Sequence, residues 1–244
     1  MPEEAPPLEI LFRDADYIAI NKPAGLLVHR SMIDRHETRF AIQLLRDQIG
    51  QHVFPVHRLD KPTSGVLLFA LNRDAARQMG EQFTSGGIGK RYLAIVRGFA
   101  PEQDRIDYPL KEKLDKMTDA TANQDKPAQA AVTGYRRLAT AELSYPVGRY
   151  ESCRYSLLEL QPETGRKHQI RRHMKHIFHP IVGDTTYGDG KHNTFYRQQF
   201  NLHRLMLAAT GLVFQHPGSG ETIELTAPLD SEFQQAFAAL GWDT

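Results

Sequence analysis

A histidine, an arginine and an aspartate fall within four residues, His57-Arg58-Leu59-Asp60. The segment continues through Lys61-Pro62-Thr63-Ser64-Gly65 into Val66-Leu67-Leu68-Phe69-Ala70-Leu71. An apolar run bounded by Pro and Gly reads as a buried strand, so the turn before it sets one carboxylate and one guanidinium at a sheet edge. A carboxylate held there can act as nucleophile or general base, which makes Asp60 the first candidate for chemistry. On their own these residues also fit an ordinary loop ion pair followed by turn punctuation. A second concentration of polar chemistry runs from Thr164 through Gly183. It contains no Asp or Glu but holds Arg166, Lys167, Arg171, Arg172 and Lys175 together with His168, His173, His176 and His179. The whole chain carries a formal charge of only +1, so this is a local cationic surface of the kind that meets a phosphate backbone. The spacing of His173, His176 and His179 is loosely compatible with a metal site, but Pro180 ends the helix and no carboxylate or thiol stands nearby. No metal is expected there, and phosphate and sugar contacts are the better use of these rings.

The elements that must position these groups are legible from periodicity. Ile10–Phe12 and Tyr17–Ile20 read as strands around an Arg13–Asp16 turn, followed by a loop from Asn21 to Asp34. Ala41, Ile42, Leu45 and Ile49 share a helical face that Gly50 ends; Asn72 caps a second helix whose Ala75, Ala76, Met79 and Phe83 share a face, ended by Gly86-Gly87. Strands are expected at Tyr92–Arg97, Ala131–Leu138, Arg154–Leu160, Met206–Phe214 and Thr222–Thr226, with a last helix after Asp230 presenting Phe233, Phe237 and Leu240. In the basic segment Ile170, Met174, Ile177 and Phe178 form an apolar arc. Lys167, Arg171 and Lys175, spaced by four, form a stripe on its border. With no βαβ alternation and no short repeat, the fold class is α+β, a mixed, mainly antiparallel sheet with flanking helices.

A chain of 244 residues with 41% hydrophobic content can bury a full core. No linker divides it: residues 1–7 are expected as a loose acidic, proline-rich tail, residues 8–244 as one domain, and Lys111–Gln129 as a polar surface insertion. The absence of an apolar run near 20 residues and of a signal pattern argues for the cytoplasm, against a membrane partner. The lone Cys153 fits packing, since it has no partner for a disulfide and no catalytic neighbour.

Five blocks in order resemble the RluA-type pseudouridine synthases: Asn21-Lys22-Pro23-Ala24-Gly25, the His57–Leu68 segment, Lys90-Arg91-Tyr92-Leu93 through Gly98, Thr164-Gly165-Arg166-Lys167-His168-Gln169-Ile170-Arg171, and Arg204-Leu205-Met206-Leu207 with Phe214-Gln215-His216-Pro217. The resemblance implies a sheet crossed by a central active-site cleft, an RNA substrate, no cofactor, and Asp60 as the catalytic carboxylate. Whether that carboxylate attacks the sugar, adds to the ring or removes a sugar proton stays open. It further implies Arg171 as an electrostatic partner that keeps Asp60 ionised, Tyr92 as the ring stacked on the target base, Arg58 as the arginine that displaces that base, and Leu207 as an apolar pocket residue. Ala208 stands where the family commonly has His. Arg166, Lys167, Arg172 and Lys175 are left for the RNA backbone. Leu27–Ser31 with Asp34-Arg35, Arg46–Phe54 and the stretch from Ala139-Thr140 through Gly148-Arg149-Tyr150 look like the members that act on tRNA. No additional N-terminal RNA-binding domain is expected before Leu8. The implied target is uridine 65 in the T arm of tRNA, with no obligatory protein partner. A ribosomal RNA site is the alternative within the class, and a catalytically silent RNA-binding protein or a metal-dependent hydrolase the alternatives outside it.

Overall fold

The structure is a computed structural model that describes residues 6–29, 37–112 and 127–242. In chain order its elements are β1 (Glu9–Arg13), β2 (Tyr17–Lys22), α1 (Ala41–Ile49), β3 (Phe54–Pro55), β4 (Ser64–Ala70), α2 (Arg73–Ser85), β5 (Gly89–Arg97) and β6 (Gln103–Asp107). There follow β7 (Val132–Leu143), β8 (Cys153–Pro162), α3 (Gln169–His176), α4 (Gly190–Phe200), β9 (Leu207–Gln215), β10 (Thr222–Thr226) and α5 (Ser231–Leu240). The class is the expected α+β one. The chain forms two compact units, residues 1–89 with 211–228 and residues 90–210 with 229–244, so that β9 passes from one to the other.

In the first unit β2 pairs antiparallel with both β1 and β4, β3 with β4, and β10 with the later part of β9. Every residue of β4 is buried, which is why its sequence is a continuous apolar run rather than an alternating one. Val66, Leu68 and Ala70 meet Ala75 and Met79 of α2 in one cluster. Asn72 caps α2 by accepting the Ala75 amide at 2.8 Å, and Gly86 at φ 80° ends it.

The second unit orders its strands β5-β8-β7-β6, all antiparallel. Ile170 and Met174 of α3 and Phe233, Phe237 and Leu240 of α5 join Ala94, Ile95 and Val96 of β5 in its core. β7 runs five residues past the expected Leu138, because a bulge between Arg137 and Ala139 restores its pairing with β8. The expected insertion starts with a closed neck: Leu110 and Gln129 exchange backbone bonds of 2.9 and 3.1 Å, and residues 113–126 lie outside the described ones. Of the expected tail, residues 1–5 also lie outside them.

Candidate active site

The Asp60 turn is held from below by a lysine. Lys22, at the end of β2 and wholly buried, donates from Nζ to the carbonyls of Pro23 and Leu26, each at 2.8 Å, and of Lys61 at 3.2 Å. The Gly25 amide reaches the same Lys61 carbonyl at 2.8 Å, and Thr63 N–H closes the turn on the Asp60 carbonyl at 3.0 Å. Leu59 on one side and Thr63 and Ser64 on the other are buried, so Asp60 is a half-buried residue on a loop pinned at both ends. His57 is structural: its Nε2 accepts the Leu68 amide at 2.9 Å just past the end of the β3–β4 pairing, and its ring stacks on Phe83 at 5.0 Å. Arg58 is exposed. Its charge reaches His29, whose pKa is lowered by burial first and by Arg58 second.

In the second unit, Arg171 does not lie on a solvated stripe. It is 5% exposed and grips Asp184 with two bonds, Nε to Oδ2 at 2.7 Å and an NH2 nitrogen to Oδ1 at 2.9 Å, while its guanidinium lies 5.2 Å from the centre of the Tyr187 ring. Asp184 in turn accepts the amides of Thr186 and Tyr187, both at 2.9 Å. Burial works to raise its pKa. The Arg171 bond and charge and the two amides outweigh that and hold it below 3.8. Gly183, at φ 79°, makes this geometry possible: a Cβ there would stand 1.9 Å from the Arg204 carbonyl oxygen.

The three-residue stripe expected here, spaced by four, is corrected by the start of α3. His168 sits in the left-handed region at φ 56°, so Lys167 precedes the helix and only Lys175 of the three remains an exposed helical cation. Phe178 leaves the expected apolar arc altogether, 80% exposed at φ 64°. What organises the Thr164–His168 loop is Gln169, whose Oε1 accepts from Thr164 Oγ1 and the Arg166 amide while Nε2 donates to the Val132 carbonyl and to Thr133 Oγ1. Arg166 is exposed, with Nε on the Ala130 carbonyl at 3.1 Å; Arg172 donates to the Lys111 carbonyl at 2.9 Å.

Nor do the histidines act as one surface. His173 is wholly buried between Thr133 Oγ1 and the Tyr108 carbonyl, and its pKa is lowered chiefly by burial. His179 bonds the Arg97 carbonyl at 2.9 Å, while His176 stacks on Tyr108 at 3.7 Å. Packing, not phosphate, accounts for His173.

Tyr92 lies on β5 opposite Leu160, half-buried against the core. Leu207 opens β9, 3% exposed in the same core. Its carbonyl accepts from Arg204 at 3.1 Å, and Arg204 also pairs with Asp230 and bonds the Leu205 carbonyl. Four buried polar residues thus take structural roles that the sequence patterns do not assign: Lys22, Gln169 and Arg204, which stand in the motif blocks without a role, and Asp184. One of them left a signal, since Asp184 is the first acid after the acid-free stretch and supplies the counter-charge for a buried arginine within it.

The profile described as RNA pseudouridylate synthase matches residues 16–176. The chain is 53% identical over 236 residues to the tRNA pseudouridine synthase C of Vibrio parahaemolyticus, covering 97% of this chain and 96% of that one. It is 57% identical over 235 residues to the protein of the same name from Haemophilus ducreyi, covering 96% of each. Among solved structures, human RNA Pseudouridylate Synthase Domain Containing 4 superposes with a TM-score of 0.71 at 26% identity, over 97% of this chain and 94% of that one. Its Domain Containing 1 counterpart gives 0.69 at 26% identity, over 96% and 94%. Identity above one half across nearly the whole length, with the profile running through both the Asp60 turn and the Arg171 helix, means that the chain belongs to the RNA pseudouridylate synthase family.

Proposed function

We propose that this isomerase converts uridine 65 in the T arm of tRNA to pseudouridine, with Asp60 as the catalytic carboxylate. The observation that carries the tRNA reading is the near-full-length identity to relatives named tRNA pseudouridine synthase C. The reaction breaks the bond from uracil N1 to the ribose C1′, turns the base, and joins C5 to C1′; the hydrogen lost from C5 is balanced by one gained at N1. Nothing is oxidised, so a carboxylate and a pocket for the detached base suffice, without metal or nucleotide. A pinned turn suits that task, because a nucleophile or base must be aimed before the substrate arrives.

The other roles follow the family pattern. Tyr92 offers a flat ring to the base, Leu207 an apolar floor, Arg171 a fixed positive charge, and the exposed Arg58 a guanidinium to fill the space the base leaves, offsetting a few kcal/mol of unstacking. Arg166, Lys167, Arg172 and Lys175 take backbone phosphates. The cytoplasm, where tRNA is abundant, is the place of action.

Asp60→Asn tests the assignment. Asparagine keeps the shape and the hydrogen bonding but lacks the anionic oxygen, so tritium release from uracil C5 of labelled tRNA should vanish while tRNA affinity in a filter-binding titration stays near wild type. Substantial residual turnover removes Asp60 from its role. A wild-type protein that binds tRNA without any turnover would instead be a silent RNA binder. A pseudouridine map of cellular RNA with and without the gene separates tRNA from ribosomal RNA as the target.

A further inference from the structure

The tip of the β7–β8 hairpin and the start of α4, both in the second unit, border an open groove of about 1180 Å3 that none of the roles above uses. Val147 and Tyr150 exchange backbone bonds of 3.0 and 3.3 Å, leaving Gly148 and Arg149 as a two-residue tip. Gly148, at φ 67°, is where the tip and α4 approach: a Cβ there would lie 3.1 Å from Lys191 Cδ and 3.4 Å from its Nζ. The bare glycine lets the lysine stem lie along the turn with its ammonium at the groove. Arg149 folds over the Tyr150 ring, 5.0 Å from the centroid, and donates to its hydroxyl at 2.8 Å. Tyr150 is nevertheless 59% exposed and Tyr145, leaning on Phe195 at 5.4 Å, is 42% exposed.

The charges lining the groove are unequal. Asp189 is the one carboxylate among the lining residues, and it is already engaged by Arg97 at 2.5 Å and by the Lys191 and His192 amides at the start of α4. Arg149 and Lys191 have no carboxylate partner among the described residues. Two exposed tyrosine rings flanked by two uncompensated cations match what single-stranded nucleic acid offers: bases with π-faces strung on phosphates. The volume exceeds the roughly 300–1,000 Å3 of a small-molecule pocket, which favours an extended chain over a compact metabolite.

We propose that this groove seats an unpaired segment of the RNA substrate, with bases stacked on Tyr145 and Tyr150 and backbone phosphates on Arg149 and Lys191. The proposal rests on the reading of the chain as acting on RNA and adds to it a second contact surface. It also gives a use to the stretch ending in Gly148-Arg149-Tyr150.

The experiment compares a tRNA transcript with a fully paired RNA duplex of equal charge. Arg149→Ala with Lys191→Ala should lower the slope of log affinity against log salt for tRNA by about 1–2, given roughly 0.7–0.9 per phosphate contact. Tyr145→Ala with Tyr150→Ala should weaken tRNA binding about tenfold or more at unchanged salt slope, and the corresponding double Phe variant should restore it, since stacking needs the ring and not the hydroxyl. Duplex affinity should be unaffected by the tyrosine changes, and single-turnover pseudouridine formation at saturating enzyme should match wild type throughout. Wild-type tRNA affinity in both alanine pairs overturns the proposal, as does an equal loss for duplex in the tyrosine pair. Thermal melts check that each variant is folded, Tyr145 above all, since its ring leans on the core residue Phe195. A wild-type protein that binds tRNA through this groove yet forms no pseudouridine would sink the catalytic reading and leave this one standing.

Discussion

Asp184→Asn is the substitution that most directly probes how the second unit is held. Both members of the Arg171–Asp184 pair are nearly inaccessible, 6% and 1% by side chain. Asparagine can keep one oxygen for the Thr186 and Tyr187 amides. It then turns an NH2 group toward the Arg171 Nε–H, setting donor against donor where a 2.7 Å charge-assisted bond stood. Breaking a buried ion pair from one side costs about 3–5 kcal/mol, a large share of the ~5–15 kcal/mol that holds a domain together. With a urea slope of roughly 2–3 kcal/mol/M, the unfolding midpoint at pH 7 should fall by about 1–2.5 M. The pH dependence gives an independent check. The Asp184 carboxyl is held below its ordinary 3.8 in the folded protein, so its contribution is complete above about pH 3.8 and is lost as pH falls through the lower folded value. The gap between wild type and variant should therefore be constant from pH 7 to pH 5 and narrow on acidification below 3.8. A midpoint shift under about 0.5 M at pH 7, or a gap that does not narrow in acid, would refute the account.

Three further outcomes follow from the same geometry. Lys175→Ala should weaken tRNA binding across sequences and reduce the salt slope by about 1 while leaving single-turnover chemistry intact; Arg172→Ala should do the same and, by releasing the Lys111 carbonyl, speed hydrogen exchange near Leu110. Gly183→Ala should be more damaging than any surface change, because its Cβ would collide with the Arg204 backbone; loss of ~3 kcal/mol or more, or failure to fold, is expected in denaturant titration, and wild-type stability would contradict it. Cys153 is buried, with its thiol pushed up mainly by burial, so a thiol reagent should modify it at the rate of unfolding; rapid labelling of the native protein would show the site to be open.

Periodicity and capping chemistry made most of the fold legible, and their failures are specific. Asn72 and Asp230 each accept an amide at the third residue of their helices, 2.8 and 3.0 Å away, and β10 spans the expected Thr222–Thr226. β6 lies outside the expected strands because Gln103-Asp104-Arg105-Ile106-Asp107 buries one side chain only; an edge strand this polar carries no alternation to read. α4 also lies outside the expected helices: four of its first five residues, Gly190, His192, Asn193 and Thr194, are poor helix formers, and the Asp189 cap and the left-handed Asn201 that delimit it also suit a loop. In the basic segment a spacing of four implied one helix face, yet Gln169 draws the chain into a tight loop just before it and removes Lys167 from the face.

The residues hardest to read were the buried polar ones, and they share a task. Lys22 bonds three carbonyls of the loops beside Asp60, Gln169 ties the approach to Arg171 onto β7, Asp184 fixes Arg171 itself, and Arg204 holds the carbonyl of Leu207. Periodicity reports which face a residue occupies, but not which distant carbonyl the fold will bring to it; the Lys22–Lys61 and Gln169–Val132 bonds span 39 and 37 residues. A loop that must present a side chain cannot satisfy its own backbone in a ladder, so a buried donor has to do it. The motif blocks accordingly mix two kinds of residue, those offered to a substrate and those bonding the backbone that offers them. Lys22→Met would separate the two, since it spares Asp60 chemically while removing the ammonium donor from the Pro23 and Leu26 carbonyls and leaving the Lys61 carbonyl to the Gly25 amide alone.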